Sequence, residues 1–467
     1  MNHFTRERSS LHACSSAGFD SASDPSKRRL KARLPLIISV YLFFFLLPIE
    51  FSISIGPLFI TPTRLFFLLA VLPLLIALFR LGNLHTADWL IFAYVVWVAL
   101  ALLRKQGAGG IEPAGQSLLE VLVPYLIARL HLHDSAQVAR LVQVLGIIIC
   151  ILGALAIPEA IFHDRFLHDI PRLITGVIYE FQSDTRLGLL RAASTFENPL
   201  LFGLYCATFL SMIWYSGVQT SRRVLLCFGV VVATTLSLTS AAVLLLLMQI
   251  LLIAFEGITR KIPARAAIVL ATLVVVVLLV EALSDRGVVR LIAGELTFNP
   301  FTGYYRIAQW EHSIDDVMLN PIFGINFEDW TRPFWMTDSI DNHWLLTAMR
   351  SGLPSVVIIF ALLFIIAYRL YFRRKKYQDP LGRSLMLGWI LGMSALFLGG
   401  WTVAFFGKMF PALFFLIGIG AALMKVTDEH WDGRDRPEKL AIQDRPLRFS
   451  RYQSARDVQP PSFNGHC

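Results

Sequence analysis

The feature that most constrains this chain is the recurrence of apolar runs long enough to cross a lipid bilayer. A spanning helix needs about 20 mostly apolar residues. About twelve such runs can be read along the sequence. They lie near 34–49, 63–80, 88–103, 116–130, 138–157, 199–216, 223–238, 240–256, 266–283, 353–372, 384–403 and 405–424. Only 16% of the 467 residues are charged and 55% are hydrophobic, whereas an ordinary soluble domain carries about 25% charged residues. That balance excludes a disordered chain, collagen, a disulfide scaffold and an ordinary cytosolic enzyme. The expectation is an all-α, polytopic transmembrane helix bundle of about twelve spans.

Three parts follow from the pattern. Residues 1–33 are polar, hold seven Lys/Arg and read as a disordered basic tail rather than a signal peptide. Residues 34–425 form the membrane domain, and 426–467 read as a second disordered tail. The five cysteines show no CxxC or paired spacing, so neither a disulfide framework nor a zinc site is expected. Two connections stand out by length, 158–198 and 284–352. Long loops in compact proteins are usually functional. Both follow odd-numbered runs, so both open on the same side of the membrane.

The net charge of +9 speaks here of topology rather than nucleic acid. Arg80, Arg129, Arg140, Arg222, Arg223, Arg260, Lys261, Arg265 and the cluster from Arg369 to Arg383 flank the short links. The positive-inside rule then places both tails in the cytoplasm and both long loops outside. Charges within the runs are few. Glu120 in the fourth and Lys408 at the outer end of the twelfth are expected to be satisfied inside the bundle or by each other.

Three polar clusters lie in the long loops. The first is Arg191-Ala-Ala-Ser-Thr-Phe-Glu-Asn-Pro199. Asn198 suits a helix N-cap with Pro199 in the first turn. Arg186 and Arg191, just upstream, either grip a diphosphate or snorkel to headgroups. The second is Gly303-Tyr-Tyr-Arg306-Ile-Ala-Gln-Trp310. Residues 304–318 read as an interfacial helix whose stripe is Tyr304, Ile307, Trp310, Ile314 and Val317. Arg306 serves there either as a phosphate ligand or as the partner of an acid two turns away. Asn320-Pro321 to Gly324 then makes a turn. The third is Asp341-Asn342-His343-Trp344-Leu345, followed by Gly352-Leu353-Pro354. Asp341 and His343 are both candidate general bases. Alternatively Asp341 is an N-cap and His343 a surface residue. Asn342 can cap the helix and orient a substrate. No Walker A, HExxH, GxSxG or kinase motif is present.

These clusters, in this order, resemble the O-antigen ligase and polymerase family of bacterial membrane glycosyltransferases. The resemblance runs over about residues 35–425 and rests on Arg191…Thr195-Phe196-Glu197-Asn198-Pro199, Tyr305-Arg306…Trp310, Asn320-Pro321…Gly324 and Asn342…Leu345…Gly352-Leu353-Pro354. It also takes in Leu58 to Arg64, and Glu120…Tyr125 to Arg129. It implies an undecaprenyl-diphosphate-linked oligosaccharide as substrate, handled at the periplasmic face of the inner membrane in contact with membrane lipid. It implies no cofactor and no metal. It implies a flippase and a chain-length regulator as partners. Arg191 and Arg306 match the family's diphosphate arginines, with Arg186 in support and Asn198, Trp310 and Asn342 as further substrate contacts. The family's His falls on Asp341 here, with His343 two residues on. That departure points to a repeat-unit polymerase before a ligase that transfers glycan to lipid A-core. A transporter or flippase of lipid-linked sugars is the reading from another class.

Overall fold

In the computed structural model, residues 33–425 are described except 56–57, 83, 180–184, 327–329 and all but two of 263–299. About 75% of the described residues are helical, with almost no sheet. Helix α1 (Leu36–Leu46) is followed by a 3-10 turn (Ile49–Phe51) and a hairpin of β1 (Ile53–Ile55) and β2 (Leu58–Ile60). Then come α2 (Pro62–Leu81), α3 (Thr86–Gln106), α4 (Ile111–His131) and α5 (Ser135–Phe162). A short α6 (Phe166–Thr175) and the two-residue strands β3 (Thr185–Arg186) and β4 (Leu189–Leu190) precede α7 (Pro199–Thr208) and α8 (Leu210–Trp214). Next are α9 (Thr220–Leu236), α10 (Ser240–Thr259), α11 (Pro300–Leu319) and α12 (His343–Ser351). The chain closes with α13 (Leu353–Arg374), α14 (Pro380–Gly399) and α15 (Met409–Lys425).

Among the described residues six helical segments are long and apolar enough to cross a membrane, so the chain is a helical membrane protein. One of the six, Thr86–His131, breaks at Gly107 into α3 and α4, which pack against each other. The run expected at 266–283 lies outside the described residues. The other runs are helical, with three changes of boundary. The eleventh stops at Gly399 and the twelfth starts at Met409, because 400–408 leave the helix. The sixth is split at Phe209.

Local chemistry sets many of the ends. Thr61, Asp134, Asn198 and Asp379 each accept a backbone N–H at a helix start, and proline opens α2, α7 and α14. The split at Phe209 frees backbone groups that lipid could not satisfy. Gln249 of α10 takes up two of them. Its Oε1 accepts from Ser211 N at 3.0 Å and its Nε2 donates to Ala207 O at 2.7 Å.

The core centres on α4 and α15. Val121–Leu130 of α4 and Ala412–Met424 of α15 are buried throughout, the pattern of a helix enclosed on all sides. Gly418 permits the closest approach, since a Cβ there would sit 2.5 Å from Tyr125 O. Around them α2 and α3 pack on α4, α5 on α9, α7 on α9 and α10, and α14 on α8, α10 and α13. Leu68, Leu69 and Leu72 of α2 and Leu225 and Phe228 of α9 point outward, which suits contact with lipid tails.

The helices alternate in direction, so their links gather at two ends. The short-link end holds 81–86, 131–135, 214–220 and 374–380. It is tied by Arg369 Nη2 donating to Thr86 Oγ1 at 3.1 Å and by a short bond from Ser135 to Asp379. Arg129 proves not to be a free flanking cation. It is 2% exposed and lies 3.3 Å from Asp88, whose carboxylate also accepts from Tyr125 at 2.6 Å. A carboxylate and a phenol beside a buried guanidinium repay part of its desolvation. The opposite, long-loop end collects 47–61, 163–198, 236–240, 320–352 and 400–408.

Candidate active site at the long-loop end

Helix α11 covers nearly the interval expected, and the face it turns inward is largely polar. Tyr304 and Trp310 are exposed, while Gln309, Ser313, Asp316 and Val317 are buried. The reason is hydrogen bonding. The facing segment 330–341 is irregular backbone that needs polar partners. Gln309 Nε2 donates to Ser339 O at 2.6 Å, and its Oε1 accepts from Asp341 N at 3.2 Å. Asp316 accepts from Thr331 N and Oγ1 at 2.8 and 3.1 Å. An apolar stripe would leave all of these unsatisfied.

That docking carries Asp341 to Arg306. Arg306 Nε lies 3.6 Å from Asp341 Oδ2, with the two side chains 25% and 44% exposed. Arg306 therefore pairs with an acid across the loop, not with one two turns along its own helix. Trp310 lies beside Trp401, with ring centroids 6.0 Å apart.

The N-cap of α12 is Asn342, not Asp341. Its Oδ1 accepts from Trp344 N and Leu345 N at 3.1 and 3.0 Å, which leaves the Asp341 carboxylate out of the cap. His343 is not a surface residue. It is 3% exposed and packed against Trp344, Phe405 and Phe410. Phe405 N donates to its Nδ1 at 3.4 Å, so the ring proton sits on Nε2. Burial, helped by the nearby Arg350, pushes its pKa down to about 3. A folded-state value below the usual 6.5 means the unfolded chain binds the proton first. Stability is then present in full above 6.5 and falls as pH drops toward 3. We expect His343→Gln to flatten this loss in thermal unfolding against pH. It should leave the shape of the activity–pH profile between about 5 and 8 unchanged.

The first cluster is built around a buried carboxylate. Glu159, at the end of α5, accepts from Ala193 N at 3.0 Å and Ser194 N at 2.8 Å, and lies 3.6 Å from Arg165 Nη1. This holds Ser194 at φ +53° and fixes the turn that follows Arg191. Asn198 caps α7 through Leu200 N at 2.8 Å. Arg186 donates to Leu238 O at 3.1 Å and so ties β3 to the α9–α10 turn. Arg191 lies at the foot of the segment, half-buried.

What joins the clusters is residues 400–408, where the expected runs 384–403 and 405–424 meet. Gly400 O accepts from His343 N at 2.7 Å. Lys408 Nζ donates to Thr195 O at 2.6 Å and to Leu47 O at 2.9 Å, over the Phe196 ring. Gly407 fits against Glu197, where a Cβ would sit 3.1 Å from Oε2. The strap thus touches both the Arg191–Pro199 segment and α12. Its signal was present as Gly399-Gly400 and Gly407-Lys408 inside an otherwise apolar run. Lys408 is 6% exposed, so Lys408→Met removes the donor from the buried Thr195 carbonyl and from the half-buried Leu47 carbonyl. We expect it to cost about 2 kcal/mol, read as a lower unfolding temperature in detergent.

Glu120 is satisfied inside the bundle, the first of its two expected outcomes, and not by Lys408. Arg64 Nε donates to its Oε1 at 2.8 Å, and Lys408 is engaged elsewhere. Among the described residues no group of three or more His, Cys, Asp or Glu side chains converges so as to hold a metal ion. Comparison of the sequence with protein-family models and with curated proteins gives no match.

Proposed function

We propose that this protein is an oligosaccharide repeat-unit polymerase of the bacterial inner membrane, akin to the O-antigen ligase and polymerase family. Its long-loop end faces the periplasm and its cation-rich short-link end the cytoplasm. The substrate is an undecaprenyl-diphosphate-linked oligosaccharide. The observation that carries the reading is the meeting of Arg306 and Asp341, partly exposed and 3.6 Å apart, at the end that also bears Arg191.

In this reading Arg306 and Arg191 hold the diphosphate and offset the charge that grows on it as it leaves. An acceptor sugar hydroxyl attacks the anomeric carbon. The new C–O bond forms as the C–O bond to the diphosphate breaks, and that electron pair leaves with the diphosphate. Asp341 takes the hydroxyl proton. His343, neutral and enclosed, positions the strap instead of acting as the base. Broken helices often build ion sites in transporters, but here Gln249 fills the break at Phe209, which favours catalysis over transport.

The test is reconstitution. Purified protein in vesicles, supplied with lipid-linked repeat units, should yield longer lipid-linked chains. Transfer to lipid A-core without elongation would identify a ligase. Movement of substrate across the vesicle without bond formation would identify a flippase.

A further inference from the structure

The Arg306–Asp341 contact has an unusual form for a structural salt bridge. The separation is 3.6 Å, longer than a charge-assisted hydrogen bond. Arg306 Nε is buried with no hydrogen-bond partner. Guanidinium presents five donors in a rigid fork, and this pair holds none of them at bonding distance at Nε. The backbone around the acid, in contrast, is fixed. Asp341 N donates to Gln309, Ser339 O accepts from the same side chain, Asn342 caps α12, and His343 N is bonded to Gly400. The main chain is pinned on both sides while the carboxylate is 44% exposed.

We infer that the Asp341 carboxylate is a displaceable occupant of an anion site on Arg306, and that an incoming diphosphate takes its place and releases it as the base. The inference rests on the diphosphate reading above. A diphosphate carries more negative charge than a carboxylate and accepts from guanidinium in bidentate fashion, so it outcompetes a single loosely held oxygen. Displacement needs no backbone movement, because only the Asp341 side chain turns. It also makes the base available only when the donor is bound, so the carboxylate is held by Arg306 whenever the site holds no diphosphate.

A merely structural pair and a displaceable one respond to Asp341→Asn in opposite directions. The substitution keeps the shape and removes the competing charge. The full chain in lipid nanodiscs would be titrated with undecaprenyl diphosphate and, in parallel, with inorganic pyrophosphate. Asp341→Asn should bind both about twofold to fivefold more tightly than wild type, the range of a partly exposed ion pair, while chain elongation is lost. In an Arg306→Gln background the same change should leave affinity unaltered. Unfolding temperatures of each variant guard against misfolding. Equal or weaker binding by Asp341→Asn, with wild-type binding intact, overturns the displacement and leaves the diphosphate site standing. Absence of saturable binding of either probe to wild type overturns both. Tightening for undecaprenyl diphosphate alone supports the displacement and means that the lipid chain brings the diphosphate to Arg306.

Discussion

Replacing Gly352 with alanine is expected to remove about 4 kcal/mol of stability and to deplete the folded protein. Gly352 sits at φ +79° between α12 and α13, and a Cβ there would meet Ile322 O at 1.9 Å. A left-handed conformation costs an L-residue roughly 1–2 kcal/mol. Forcing atoms into filled space adds about 1–3 kcal/mol, and here the obstacle is a backbone carbonyl. Gly324 answers it from the other side. It has φ +67°, and its Cβ would lie 2.2 Å from Met349 O. Between them Leu353 N donates to Pro321 O at 2.8 Å and Ile325 N to Met349 O at 2.6 Å. The Asn320–Gly324 turn and the Gly352–Pro354 link are thus one joint, which seats α11 beside α12. Gly176→Ala is the control. Its φ is +72° with nothing within 4 Å of the added Cβ, so it should cost only about 1 kcal/mol. Thermal unfolding in detergent and the yield of folded protein read both. A Gly352→Ala variant as stable as Gly176→Ala would contradict the joint.

Replacing Arg306 with alanine should lower chain elongation by roughly a hundredfold or more, the scale of losing one preorganised charge at a developing anion. Unfolding temperature should barely change, because an exposed ion pair contributes about 0–1 kcal/mol. Arg191→Ala should act in the same direction. Arg306→Lys should recover part of the activity, since it keeps the charge and loses the fork. Arg186→Ala separates site from scaffold. Its guanidinium already donates to Leu238 O, so its loss should cost stability and less than about tenfold in rate. Single repeat units in place of polymer would be the result for Arg306→Ala. Wild-type chain length in that variant and in Arg191→Ala would remove the diphosphate clamp from the mechanism.

Much of the local structure was legible in the residues. Asn198-Pro199 marks a helix start by chemistry that needs no neighbour. The helix at 304–318 is visible from its period, but which of its polar residues turn inward is not. An apolar stripe is the default for a helix on a core, whereas α11 packs on irregular backbone and needs Gln309 and Asp316. Glu120 can be expected to meet a partner inside the bundle or Lys408, and the structure gives it the first, in Arg64. Nothing in the spacing of these residues says which will meet.

The sequence by itself determined a helical membrane protein, because a chain so poor in charge can satisfy its backbone in lipid only within helices. It also determined which segments are polar enough to carry chemistry. Only the tertiary structure decided how those segments combine. It paired Arg306 with Asp341 across 35 residues of chain, gave the α12 cap to Asn342, enclosed His343, and made a strap of residues 400–408 through Lys408. These outcomes depend on which backbone carbonyls and carboxylates come within about 3 Å of a donor. That distance is set by packing between segments far apart in the chain, not by the order of residues along it.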